Sequence, residues 1–486
     1  MQLNLPLTEG PESAPRPISP SRRVYVSRAL KMASCDWVGF DMDYTLAIYH
    51  QEEMDRLSIE ATVDKLIARG YPDFIAKLHY PLDFPIRGLL IDKHLGNVLK
   101  MNRFKIVRQG YHGMRELSRN ELRALYYEKK LRHKSSRYHW IDTLYALSEA
   151  CMYAAIIDSF EQRGMQVKYG RLFSDIRECI DEAHSDGTIL NPVMENPARF
   201  IERDPALAAT LHKLRSAGKQ LFVLTNSRWP YTKVLMSYLF DGVLPDYPSF
   251  LHYFDALIVA AKKPTFFQGK SPLMERRGND LVPARLPFER GRIYEGGNLG
   301  DLQRALGVGG NHVLYVGDHI YGDMVRSKKD SAWRTAMVIP ELEAEVMAHE
   351  LCREDFVHSG QLYHRRSELE DQLRYYQVRL KELTRRENGI TQEAREAETM
   401  RLKRMLSSIR KQLRILDRES NVLRRRIDQR FHPYWGSLLK EANELSLFGH
   451  QVSEYACVYT SRVSNLYHYS PHQYFRSPHN FMHHEL

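Results

Sequence analysis

Cysteine is sparse and unpatterned. The five in 486 residues (Cys35, Cys151, Cys179, Cys352, Cys457) are odd in number and never form a C-x-x-C pair. That excludes a disulfide framework and a thiolate zinc cluster, and suits a reducing compartment. They read as small buried hydrophobes. Long apolar runs are missing too: no stretch approaches the roughly 18 to 20 residues a membrane span needs, and mean hydropathy is −0.48. The opening MQLNLPLTEGPESAPRPISPSRR is rich in Pro and Ser and has no apolar h-region, so residues 1–30 are expected to be a flexible lead rather than a secretory signal. A cytoplasmic protein with no membrane partner is the expectation.

A surplus of one charge sign is also scarce outside a single segment. The chain carries 70 Lys and Arg against 60 Asp and Glu, a formal charge of +10. Residues 361–430 hold 19 Lys and Arg and 11 Asp and Glu, which leaves only +2 for everything else. Within that segment Leu369, Leu373, Tyr376, Leu380 and Leu383 step by heptads. After Glu387-Asn388-Gly389 the stepping resumes at Leu402, Leu406, Ile409, Leu413 and Leu416 and runs on to Leu423 and Ile427. Two such helices around an Asn-Gly breaker predict an antiparallel coiled-coil hairpin with Arg-rich faces in water. A solvated or oligomer-contacting hairpin is expected rather than a nucleic-acid arm, because basic helix faces are commoner than phosphate-binding ones. A homo-oligomer, dimer or tetramer, is expected.

What remains reads as alternating strands and helices. Short apolar runs at Trp37–Phe40, 221–224, 257–259, 313–316 and 336–339 each end in polar residues, as buried parallel strands do. Helical stretches such as 231–239 intervene, so the fold class is α/β, a doubly wound parallel sheet with ligands at the carboxyl ends of its strands. About 170 residues separate the first run from the second, too many for a crossover, so a mainly helical cap is expected to be inserted there. The expected division is core over 31–49 and 206–340, cap over 50–205, hairpin over 341–430, and a C-terminal segment over 431–486 packing on the core.

Four strand ends carry the chemistry. Asp41-Met42-Asp43-Tyr44-Thr45 puts two carboxylates where a strand hands over to a loop. Asp is a weak nucleophile in general but forms an acyl phosphate, and a second acid two residues on can trade the leaving-group proton. A merely polar loop is the plain alternative. Thr225-Asn226-Ser227 offers a hydroxyl and free N–H groups to phosphate oxygens, or simply caps a helix. In Ala261-Lys262-Lys263-Pro264 the proline biases Lys263 toward extended backbone, able to stand its ammonium at a strand end as a point charge for phosphate, or simply a solvated Lys, which is the plainer reading of these residues alone. Gly317-Asp318-His319-Ile320-Tyr321-Gly322-Asp323 adds Asp318 as an oxygen ligand for a hard cation.

GFDMDYTLA, LTNS with YTKVLMSYLF, AKKPTFF, VLYVGDHIYGD with SKK, YTSRVSNLYHYSP and the terminal FMHHE together resemble the haloacid dehalogenase superfamily, and within it the cytosolic purine 5′-nucleotidases and their 5′-nucleotidase-domain relatives. The resemblance implies a HAD-like Rossmannoid core and a phosphatase of purine nucleoside 5′-monophosphates, IMP or GMP, with phosphotransfer to a second nucleoside in some members. It implies Asp41 as nucleophile and Asp43 as general acid/base. Mg²⁺ would be held by Asp41, the Asp43 carbonyl and Asp318, and phosphate by Thr225, Asn226 and Lys263, with Asp323 orienting Lys263. Lys262 aligns with a basic residue of no catalytic role. Asp175-Ile176-Arg177-Glu178-Cys179-Ile180-Asp181-Glu182-Ala183-His184 resembles the purine-contacting helix. Arg177 and Asp181 lie at i, i+4, on one face, able to read a 6-oxopurine edge or to form an ordinary surface ion pair; His184 matches as well. Leu190 departs, standing where the purine enzymes place a Lys. Lys329 matches an effector contact of allosteric members. Their acidic tail is replaced by a His-rich end (His468, His472, His479, His483, His484), read as exposed residues. The alternatives are a phosphatase of another small phosphoester and a non-catalytic scaffold working through the basic hairpin.

Overall fold

The computed structural model describes residues 17–127, 135–325, 331–385 and 391–479, together with Met482 and Glu485. Ten strands form the main sheet: β1 (Tyr25–Val26), β2 (Trp37–Phe40), β3 (Gln220–Leu224), β4 (Ala256–Val259), β5 (Leu273–Arg277), β6 (Asp280–Pro283), β7 (Ile293–Gly296), β8 (Val313–Gly317), β9 (Arg334–Val338) and β10 (Val458–Thr460). Their order is β1-β10-β9-β8-β2-β3-β4-β7-β5-β6. From β10 to β7 every pair is parallel. The hairpin β5-β6 and the short β1 close the two edges antiparallel. The five runs expected as strands are β2, β3, β4, β8 and β9. The edge strands and β7 escaped notice because they are short or half exposed, as in the e-e-i-e pattern of β6.

All four residues of β2 and of β4 are buried, and all five of β8, because the centre of a parallel sheet is covered on both faces. Close packing reaches the backbone at Gly39, where a Cβ would stand 2.1 Å from the Phe222 ring. In the same cluster Phe222 stacks on Tyr315, and Trp333 packs tilted against Tyr315 and edge-on to Phe222. No helix of the described residues is long and apolar enough to cross a membrane.

Between β2 and β3 the chain builds the cap. Helices α1 (Gln51–Ala68), α2 (Leu147–Gln162) and α3 (Tyr169–Ser185) dominate it, and a five-stranded antiparallel sheet accompanies them. Its order is Arg115–Glu116, Val107–His112, Asn97–Met101, Leu89–Asp92, Tyr138–Ile141. This sheet was not anticipated. Its two central strands are buried along their whole length and so show no alternation, while polar Asp92 is paired inside by Arg137 and Tyr126. The turn between them places Gly96 at φ 69°, a left-handed conformation that glycine takes without penalty. Helix α4 (Trp229–Phe240) follows β3.

The chain separates into two compact units, 1–343 with 445–486, and 344–444. In the first, 445–486 supplies β10. The second contains α5 (Arg353–Arg385) and α6 (Gln392–Phe431), running antiparallel, as ion pairs Arg366–Asp417 (2.5 Å) and Arg426–Asp355 require. Leu369, Leu402, Leu406, Ile409, Leu423 and Ile427 are buried, and the other heptad positions named above are half-buried. The breaker Glu387-Asn388-Gly389 lies outside the described residues. All five cysteines are free and buried.

Candidate active site

The ends of β8, β2, β3 and β4, four neighbours in the sheet, converge on one place. Asp41 follows β2 and is only 9% exposed, its N–H donating to Val316 O at 2.9 Å and so extending the ladder one residue past the strand. Thr225 extends β3 in the same way, donating to Ile258 O at 3.0 Å. Immediately beyond, the backbone is left-handed at three non-glycine residues, Tyr44 (φ 54°), Ala260 (φ 48°) and Lys262 (φ 58°). Each costs on the order of 1–2 kcal/mol, and the surrounding packing holds them there. The bend separates two adjacent lysines: Lys262 is exposed while Lys263 is buried.

Lys263 is the hub. Its Nζ lies 2.9 Å from Asp41 Oδ1 and 2.8 Å from Asp323 Oδ1, and donates to Tyr315 Oη at 2.9 Å. Tyr315 in turn donates to Leu224 O at 3.0 Å. Burial opposes the charge on Lys263, but Asp323 and Asp41 outweigh it and hold the ammonium pKa well above its ordinary value. Asp323 approaches so closely that a Cβ on Gly317 would meet its Oδ2 at 2.5 Å.

Asp43 faces elsewhere. Tyr49 Oη donates to its Oδ1 at 2.5 Å and Ser227 Oγ to its Oδ2 at 2.7 Å. Because the Tyr49 proton is spent on Asp43, the 2.9 Å contact between Tyr49 and Tyr231 hydroxyls has Tyr231 as donor. Burial, then Asp43, raises the Tyr49 pKa well above ordinary, so the phenol stays a donor.

Asn226 gives both ends of its amide to the Lys263 backbone: Nδ2 donates to Lys263 O at 3.0 Å, and Oδ1 accepts from Lys263 N at 2.5 Å. One Nδ2 proton remains for a ligand. Thr225 Oγ1 accepts from Ser227 N at 3.0 Å, bracing the turn and keeping its own proton to donate. Helix α4 begins beyond this turn, capped at Arg228 without a side-chain bond, so Thr225 is not its cap.

Asp318, at the end of β8, is 5% exposed. Arg87, from the cap segment and wholly enclosed, donates Nη1 to the Asp318 carbonyl at 2.9 Å and stands 3.8 Å from its carboxylate. Glu341 holds that guanidinium at 2.8 and 2.6 Å. Asp41, Asp318 and Asp323 each bring one carboxylate oxygen within 4.8 Å of the others. Burial, despite Lys263, pushes Asp41 up to about 8, and burial, despite Arg87, holds Asp318 well above the usual carboxylate range. An all-oxygen set of three carboxylates facing one another fits a hard divalent cation. Asp43 was expected to contribute its backbone carbonyl rather than its carboxylate, and Asp323, expected to orient Lys263, brings a carboxylate into the trio.

Farther up the cap, Arg177 and Asp181 share a face of α3 and form a long ion pair, Nη2 to Oδ1 at 3.7 Å. Arg177 Nη1 is bound more closely, to Glu149 Oε1 of α2 at 2.5 Å. His184 packs edge-on against Tyr145 at 5.8 Å, and Tyr145 against Tyr44 at 4.8 Å and Tyr49 at 6.0 Å, an aromatic chain leading back to Asp43. Burial lowers the His184 pKa. Leu190 opens a short helix, Leu190–Glu195, half-buried. Lys329 lies outside the described residues, as do His483 and His484; His468, His472 and His479 are exposed.

Sequence reasoning missed Tyr315, Arg87, Tyr49 and Glu149 as partners of the site. Ser227 and Tyr315 stood inside quoted motifs without a role, and Tyr49 two residues after another; Arg87 and Glu149 carried no local signal.

A family model described as the 5′ nucleotidase family matches residues 24–486. The chain is 26% identical over 457 residues to a 5′-nucleotidase domain-containing protein of Dictyostelium discoideum, covering 92% of this chain and 72% of that one. It is 30% identical over 352 residues to 5′-nucleotidase domain-containing protein 2 of Rattus norvegicus, covering 69% of this chain and 62% of the rat protein. Among solved structures it is similar to a HAD phosphatase from Thermococcus onnurineus, with 16% identity, a TM-score of 0.25, and coverage of 63% of this chain and 86% of that one. Since the family match takes in every described site residue from Asp41 to Asp323, the chain belongs to the 5′ nucleotidase family, whose members are nucleotidase hydrolases.

Proposed function

We propose that this protein hydrolyses purine nucleoside 5′-monophosphates, IMP- or GMP-like, with Mg²⁺, passing the phosphoryl group through Asp41. The observation that carries the reading is the division of labour between two acids: Asp41 on the ammonium of Lys263 at 2.9 Å, and Asp43 turned onto Tyr49 and Ser227. In the first step an Asp41 oxygen bonds to phosphorus, the bond from phosphorus to the 5′ oxygen breaks, and Asp43 supplies the proton that oxygen needs. In the second, Asp43 takes a proton from water as that water attacks the aspartyl phosphate, restoring Asp41 and releasing phosphate. Lys263 sets a positive charge beside the transferring group, and Thr225 and Asn226 each have a proton left to donate to it. Asp41 and Asp318, with the Asp43 carbonyl, would hold the Mg²⁺, which supplies neutralisation of phosphate and carboxylate charge. A second nucleoside in place of water would give phosphotransfer.

Arg177, Asp181 and His184 are proposed to read the base from α3. The five buried, unpaired cysteines fit a cytoplasmic setting. Leu190, where the resembled purine enzymes carry a Lys, favours a second reading: another small phosphoester as substrate. Phosphate release from purine and pyrimidine monophosphates and sugar phosphates, with Mg²⁺ or with chelator, separates the two. Metal-dependent release from IMP and GMP above all others supports the proposal. Preference for a sugar phosphate transfers it to the second reading, and no release from any substrate overturns both.

A further inference from the structure

Glu149 is a buried titratable group in the cap that the proposed chemistry leaves unused. It is 2% exposed and sits in the first turn of α2. One carboxylate oxygen takes Arg177 Nη1 at 2.5 Å, while Oε2 has no hydrogen-bond partner. A buried carboxylate with a single guanidinium is stable only while that guanidinium stays in place. The arrangement is reciprocal, since Arg177 is 42% exposed on its side chain and, without Glu149, would close its 3.7 Å ion pair with Asp181 four residues on.

We infer that Glu149 is a positioning residue for substrate selection. By drawing Arg177 inward it keeps the Arg177–Asp181 ion pair long and without a hydrogen bond, leaving Asp181 to accept base N–H groups and the outer edge of Arg177 to donate to a base carbonyl. This rests on the nucleotidase reading and adds to it the element that sets which edge is read. The Arg177 Nη2–Asp181 Oδ1 ion pair is long, 3.7 Å, beyond hydrogen-bond reach, with Asp181 63% exposed. Without Glu149 the two would close on each other and neutralise the recognition pair.

Charged and titratable groups face Glu149 from each neighbouring element. Arg177 and Asp181 come from α3, His139 Nε2 lies 3.8 Å from Oε2 on the strand Tyr138–Ile141, and Asp142 follows that strand. Burial holds His139 near 4, so it is neutral at pH 7. Burial, against Arg177, raises Glu149 to about 7.

The test compares KM for IMP or GMP with KM for 4-nitrophenyl phosphate, a substrate with no base. Glu149→Gln is expected to raise the nucleotide KM about tenfold, leaving kcat and the aryl phosphate KM within about twofold. In an Arg177→Ala background the same change is expected to add nothing, because the two act as one unit. An equal rise for both substrates, or full additivity with Arg177→Ala, overturns the inference. A measurement without a Glu149 variant stands beside it: in the unmutated protein the ratio of nucleotide to aryl phosphate KM rises as pH falls through about 7, and is flat in Arg177→Ala. A ratio that is flat in both overturns it. If the unmutated enzyme releases no phosphate from nucleotides, the nucleotidase reading itself fails. If it does release phosphate and Glu149→Gln leaves the KM ratio unchanged, only the present inference fails.

Discussion

The strand-end centre and the helical hairpin hold ion pairs of similar length and opposite consequence. Lys263–Asp323 spans 2.8 Å between side chains 4% and 1% exposed; Arg366–Asp417 spans 2.5 Å between side chains 48% and 47% exposed. In the first, one ammonium sits among largely buried carboxylates, and removing it strands charge. In the second, water competes for both partners and salt screens them. Most of the chain's net charge is in 361–430, yet the electrostatic work is done by a few side chains at the ends of four strands. Burial, rather than number, decides what a charge contributes.

Four substitutions sharpen or break that contrast. Asp41→Asn is expected to lower turnover at least about 10⁴-fold, since the nucleophile's charge is lost, while circular dichroism stays native; retained turnover removes the proposed nucleophile. Lys263→Met is expected to cost about 3–5 kcal/mol in denaturant unfolding, the range for breaking a buried pair, together with activity. A cost below about 1 kcal/mol would mean the buried and exposed pairs are alike after all.

Asp55 tests burial without a cation. It is 4% exposed on α1, its one hydrogen bond comes from Gln51 Nε2 at 3.0 Å, and burial pushes it up to about 7. A raised carboxyl pKa means that the folded state keeps the proton while the unfolded chain has released it. Its contribution to stability therefore falls as pH rises from about 4 to about 7 and then levels off. Asp55→Asn keeps the acceptor for Gln51 and is expected to gain on the order of 2–3 kcal/mol at pH 8 and nothing at pH 3.5. Unfolding curves at the two pH values check this, and a gain that does not depend on pH contradicts it. Last, Arg366→Ala on the hairpin is expected to change stability by less than about 1 kcal/mol, and less still in 0.5 M salt. A larger loss would assign the hairpin charges a weight that their exposure denies.

Much of the site was legible because its signals are local. A buried strand followed at once by Asp41 or Asp318 announces both the strand and its end, and heptad spacing located the hairpin's apolar seam from Leu369 to Ile427. The cap sheet was not legible, because strands buried on both faces lose the period of two, and Asp92, Asn97 and Lys100 sit inside them as though in loops. Arg87 meets Asp318 from 231 residues away. The i, i+4 rule offered Asp181 as the partner of Arg177, whereas the closer partner, Glu149, is 28 residues back on another helix.

The sequence by itself determined which strand ends would carry acids and a lysine, because period, turn chemistry and motif are properties of neighbours along the chain. Only the tertiary structure decided that Lys263 would be shared by Asp41 and Asp323, that Asp43 would turn to Tyr49 and Ser227, and that Arg177 would face Glu149. Those choices depend on which groups lose water together, and desolvation is a property of packing in three dimensions.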